Sequence, residues 1–155
     1  MLSPKERQKL IDQIREFPAK LEKTVNQVSD SKMDTPYGEG KWAARQVVHH
    51  LVDSHMNGYL RVRWALTEHN PTLKPYDQDD FAELPDYEMD LASSFMILHG
   101  LHEKWAYLCE NLTDEQWLRP LTHPESDYTN IEEILTAYVE HGEKHLGHIK
   151  RLIKG

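Results

Sequence analysis

Apolar residues recur along most of this chain at spacings of three and four, the period of a helix that turns one face inward. No run alternates with period two, so strands are not expected. The first stripe is Leu10, Ile11, Ile14, Phe17, Leu21, Val25 and Val28, and it follows Ser3-Pro4-Lys5-Glu6. There Ser3 caps, Pro4 sits where a missing N–H costs nothing, and Glu6 completes a capping box. Pro18 falls inside this stripe and predicts a kink or a break into two pieces. After the loop-like Asp34-Thr35-Pro36-Tyr37-Gly38-Glu39-Gly40, a second helix is expected from near Trp42 to about Glu68, with Val47, Val48, Leu51, His55, Tyr59, Val62 and Leu66 inward. Residues 70–90 hold prolines and acids with little periodicity, a length that in a compact domain usually serves as a lid or interface segment. Asp90 is a cap for a third helix with Leu91, Phe95, Leu98, Leu101, Trp105, Leu108 and Leu112 on one stripe. Thr113-Asp114-Glu115-Gln116 predicts a short extra turn. Asn130-Ile131-Glu132-Glu133 opens a last helix that runs to Ile153, with Gly155 just past its end. Four long amphipathic helices make a four-helix bundle the natural all-α solution, as one domain over 1–155.

Charge and cysteine usage narrow the function classes. A net charge of −8 over 155 residues argues against nucleic-acid binding, which calls for a basic face. The local basic group Lys144, Lys150, Arg151 and Lys154 is read as meeting the negative end of the last helix's dipole. Cys109 is the single cysteine, so no intrachain disulfide forms. The N-terminus lacks an apolar stretch of signal-peptide length, and no window approaches a membrane span. The expectation is a cytoplasmic protein with no membrane partner.

Ten histidines change the picture more than the charge does. On the last helix His141, His145 and His148 continue the stripe of Ile134 and Tyr138. His141 and His145, at i and i+4, have the spacing at which two imidazoles share one metal ion, while His145 and His148 are a less certain pair. A third ligand has to come from a facing helix, where His49, His50 and His55 are available. His50 lies about 60° around the helix from Val47 and is the better inward candidate, by a small margin over His49. Burying several imidazoles is costly unless each finds a partner, and one divalent ion would satisfy two or three together. The competing reading is that the rings merely pack and bind no metal.

The segment from Trp42 to Asn57, WAARQVVHHLVDSHMN, resembles the signature of the DinB-like superfamily, and more narrowly of the YfiT family of metal-dependent hydrolases, related to bacillithiol S-transferases. Phe17-Pro18-Ala19-Lys20-Leu21, Asp34-Thr35-Pro36-Tyr37, Ala65-Leu66-Thr67-Glu68, Lys74-Pro75-Tyr76-Asp77, His123-Pro124, Tyr138-Val139-Glu140-His141 and His145-Leu146-Gly147-His148-Ile149 extend the likeness over nearly the whole chain. The resemblance implies an up-down-down-up four-helix bundle, usually a homodimer. It also implies one zinc or nickel ion per chain on three histidines, corresponding to His50, His141 and His145. Two departures are a start closer to the first helix and Gly142-Glu143-Lys144 in a span that is richer in histidine in some relatives.

Three imidazoles leave a divalent ion at least one open position. That position suits a hydrolase that activates water toward a small molecule. It equally suits a transferase that conjugates a low-molecular-weight thiol, of bacillithiol type, to an electrophile. A third reading is a non-catalytic, stress-related metal-binding bundle. Candidates for catalytic or pocket roles are Asp53, Tyr76 and Glu140, with Glu143, His55 and Asn57 behind them. Cys109, beside Leu108, is read as buried packing.

Overall fold

Each long helix begins where the chain supplies a partner for its first free N–H groups. In a computed structural model describing residues 1–153, α1 spans Pro4–Val25, and Ser3 Oγ accepts the Glu6 N–H while the Glu6 carboxylate takes that of Ser3 at 2.7 Å. The second helix, α2 (Ala44–Thr67), opens with the Gln46 side chain on the Ala43 N–H. A short helix α3 (Gln78–Ala82) starts at Asp77, whose carboxylate accepts two N–H groups. Asp90 accepts from the Ala92 N–H at the head of α4 (Ala92–Glu110). Thr113 and Gln116 form a capping box at the start of α5 (Asp114–Trp117), where the sequence predicts a short extra turn. At the start of α6 (Ile131–Ile153), Asn130 accepts the Glu133 N–H, and Glu133 reaches back one residue further than a standard box, to Thr129. Arg119 closes α2 by donating to the Ala65 and Glu68 carbonyls. Lys154 and Gly155, read from sequence as the basic end and stop of the last helix, lie outside the described residues.

Contacts along the helices give their directions. Arg7–Glu132, Phe17–Gly142 and Lys20–Glu143 rise together, so α1 and α6 are parallel. His49–Ser94 and His55–His102 make α2 and α4 parallel. Arg15–Glu110 with Glu22–His99, and His50–His145 with Arg61–Tyr138, set each of these pairs antiparallel to the other. The bundle is therefore up-down-down-up. The fold agrees with the expectation: among the described residues there is no strand, only isolated bridges at Pro36–Ala43 and Thr72–Thr122.

The apolar core comes in two parts. One gathers Ile14, Val62, Trp105, Ile134 and Leu135; the other gathers Leu21, Val47, Leu51, Leu98 and Leu146. Between them, at the level where Phe17, His55, His102 and His141 meet, the bundle interior is imidazole rather than hydrocarbon. Two glycines admit this layer. A Cβ at Gly58 would stand 2.6 Å from the Tyr138 ring, and one at Gly142 would stand 2.8 Å from Phe17.

Two expectations are corrected. Of the two outcomes expected at Pro18, a kink or a break, the break does not occur: α1 runs through Pro18 and buries it. On α4 the inward edge turns past Leu101 and Leu108, which are half-buried, and brings in His102 and Cys109. The reason is width: a core-facing stripe covers more than 100° of helix, so its neighbours in sequence compete for it.

Candidate metal centre

His50 on α2 and the His141–His145 pair on α6 face each other because these helices run antiparallel with Gly58 and Tyr138 in close approach one level below. His141 Nε2 lies 3.2 Å from His50 Nε2 and 3.1 Å from His145 Nε2. The donor nitrogens of all three lie within 4.8 Å of one another. His50 and His145 are buried, and His141 is nearly so. Burial, reinforced by mutual repulsion, lowers each ring to a pKa of about 3. At neutral pH all three are uncharged, and each offers one lone pair.

The other histidines do different things. His49, the near competitor of His50, turns to α4 and bonds Ser94 Oγ at 2.7 Å and the Met89 carbonyl at 2.9 Å. His148 stands at the rim, stacked on Tyr37 at 4.3 Å, with Nδ1 3.3 Å from Nδ1 of His145. It therefore meets the ring edge opposite the cluster. His55 lies beneath His141, its Nε2 3.3 Å from His141 Nδ1, and its Nδ1 2.8 Å from His102 Nε2. His102 Nδ1 donates to the Ile14 carbonyl at 2.6 Å. Burial holds His102 down to about 4 and His55 well below its ordinary value.

His141 and His145 reach the wall of an open cavity of about 450 Å³. Trp42, edge-on to His50 at 4.6 Å, closes one side. Gln78 and Asp79 of α3 line another, so the long 70–90 connection contributes to the cavity wall. Lys41, Lys144 and Arg151 add three cations to the same wall. Lys144 and Arg151, read from sequence as answering the helix dipole, thus also give this mouth a positive field within an acidic chain.

The weaker candidates do not join the cluster. Asp53 accepts the Tyr87 hydroxyl at 2.5 Å instead of an imidazole, and burial raises its pKa. Tyr76 bonds Ser54, packs on Phe81 at 4.8 Å and is pushed up to about 12 by burial. Glu140 is exposed beside Tyr128 and Thr136. Glu143 pairs with Lys20 at 2.7 Å on the surface, and Asn57 donates to the Asp53 carbonyl. Cys109 is buried and its thiol is pushed up to about 12, as fits an inert packing residue. Sequence reading missed His102 as an interior group. The available signal was Pro18, which leaves the Ile14 carbonyl without its helical donor.

Comparison with known proteins gives the family and the fold. The family model described as the DinB superfamily matches residues 13–149. A metal-dependent hydrolase, so named, from Oceanobacillus iheyensis is 41% identical over 144 residues, covering 93% of this chain and 84% of its own length. YfiT of Bacillus subtilis is 42% identical over 153 residues, covering 97% of this chain and 86% of its own. The solved structure of YfiT, described as a probable metal-dependent hydrolase with an unusual four-helix bundle topology, superposes with a TM-score of 0.94 over 99% of this chain and 89% of that one. By family model, sequence and fold together, this chain belongs to the DinB superfamily, among the relatives of YfiT.

Proposed function

We propose that this chain is a metal-dependent hydrolase of a small anionic substrate, with His50, His141 and His145 as ligands of one divalent ion. The observation that carries this reading is the convergence of three neutral Nε2 atoms beside an open cavity. Ligand nitrogens at about 2.0–2.1 Å from a tetrahedral ion stand roughly 3.3 Å apart. The separations of 3.1 and 3.2 Å here fit that donor set. Imidazole donors suit zinc and nickel. Among the described residues the group numbers three, one fewer than a closed structural site requires.

An ion held by His50, His141 and His145 would supply Lewis acidity for polarising a substrate oxygen or lowering the pKa of water. The chain's own residues do the rest. Lys41, Lys144 and Arg151 draw a carboxylate or phosphate toward the mouth. Trp42 shields one side of His50 from water. Asp79, the only carboxylate on the cavity wall among the described residues, is the acid–base candidate in place of Asp53 and Glu140. The resemblance to YfiT relatives adds the expectation of a homodimer, which size-exclusion chromatography reads directly; the single cysteine adds that of a cytoplasmic location.

The test is a panel of ester, amide and phosphoester substrates, anionic and neutral, run beside conjugation of a low-molecular-weight thiol to an electrophile. Hydrolysis favouring anionic members, lost on chelation and in His145→Ala, is expected. Thiol conjugation without hydrolysis would replace the hydrolase with a thiol S-transferase. Bound metal with neither activity would replace it with a non-catalytic metal-binding bundle.

A further inference from the structure

The buried pair His55–His102 is not part of the proposed ligand set, yet it joins that set to the backbone of α1. The connection starts with Pro18. Proline has no N–H, so the carbonyl four residues earlier, Ile14, has no helical donor. His102 Nδ1 fills that vacancy at 2.6 Å, and His102 is 0% exposed. A carbonyl oxygen only accepts, which fixes the proton on Nδ1 of His102 and leaves a lone pair on its Nε2.

Each later step follows from the one before. Two lone pairs do not face each other at 2.8 Å, so His55 Nδ1 carries the proton that meets His102 Nε2. His55 Nε2 is then an acceptor. Its neighbour at 3.3 Å, His141 Nδ1, is the donor. His141 is left with its lone pair on Nε2, the atom that lies 3.1 and 3.2 Å from the other two cluster nitrogens. Phe17 stacks on both His55 and His102 at 5.5 Å, and both rings are buried. Among the described residues, no carboxylate hydrogen-bonds to these three rings.

We infer that Pro18, the Ile14 carbonyl, His102 and His55 form a tautomer lock that presents His141 Nε2, as a lone pair, to the metal. His102 and His55 are positioning residues. The line ends on a carbonyl, which takes up no proton, so it orients the ligand and does not conduct protons away. A ligand imidazole usually donates its other ring N–H to a carboxylate, a carbonyl or water. Here two further imidazoles are interposed, and the fixed end is a carbonyl that a helix-interior proline leaves free.

The inference rests on the metal reading above, and two arms separate their failures. Nitrogen-15 spectra of the metal-free parent at neutral pH report which ring nitrogen bears the proton. Protonated Nδ1 on His102, His55 and His141 is expected, and Nε2–H on any one of the three overturns the lock whether or not the protein binds metal. The second arm titrates zinc against a competing chelator. His102→Leu, which removes the acceptor for His55, weakens zinc binding about 10–100-fold, in the range for loss of a ligand's outer partner. His102→Gln, whose amide oxygen restores that acceptor, recovers most of the affinity. Equal affinity in folded parent and His102→Leu protein overturns the inference; a parent that binds no zinc overturns the metal reading alone and leaves the tautomers to decide the lock. If His102→Leu does not fold, the parent spectra and His102→Gln still decide.

Discussion

The two apolar halves of the bundle and the imidazole layer between them are built by the same four helices under opposite rules. In the halves, side chains such as Leu135 and Leu21 are satisfied by any neighbour of the right volume, and each contact is nearly independent of the next. In the layer, His102, His55 and His141 are each satisfied by one particular atom of the next ring, so a change at one end reaches the other. Stability therefore belongs mainly to the halves, and chemistry to the layer. That division is open to experiment.

The largest expected effect is on stability. Leu135→Ala, at a fully buried position, costs about 2–5 kcal/mol in denaturant unfolding and leaves the zinc affinity of the folded protein unchanged. A matching loss of affinity would show that the halves and the layer are not separable. Acid comes next. In the folded chain His50, His141 and His145 protonate near pH 3 and His102 near 4, against an ordinary value of 6.5. The unfolded chain thus binds more protons between those limits. Stability is full above about pH 6.5 and falls as the pH is lowered toward 4, each ring adding a slope of up to about 1.4 kcal/mol per pH unit. His102→Leu removes about one proton from that slope; a parent whose stability is level from pH 7 to 4 would contradict the neutral layer.

Metal affinity sharpens the comparison in the other direction. Ligands already neutral in the folded protein have no protons to release, so zinc affinity stays within about threefold between pH 7 and 5.5. An exposed histidine cluster, with ordinary pKa values, would lose affinity steeply across the same interval. The smallest effect belongs to the rim. Lys144→Glu weakens binding of an anionic substrate a few-fold at low salt, and less at high salt, with metal occupancy unchanged.

Much of this organisation was legible in the chain. Caps at Ser3, Thr113 and Asn130 mark helix starts because capping is local chemistry. The i, i+4 spacing of His141 and His145 fixes their shared face for the same reason. Choosing His50 over His49 was a narrow matter in sequence; the structure separates them by the direction of α4, which takes His49 to Ser94. Asp53 and Tyr76 were harder, since their partners, Tyr87 and Ser54, are set by how the 70–90 connection folds back on α2. At Pro18 the sequence alone predicts a kink or a break, because the donor that serves the freed Ile14 carbonyl, His102, lies on another helix far along the chain.

The central claim is that three imidazoles from α2 and α6 hold one ion, and its most direct test is elemental analysis of protein purified without a histidine tag. The account predicts about one zinc or nickel per chain in the parent and loss of that ion in His145→Ala, with the helical fold retained. Full occupancy in His145→Ala, or a parent that takes up no divalent ion when supplied with one, would contradict it.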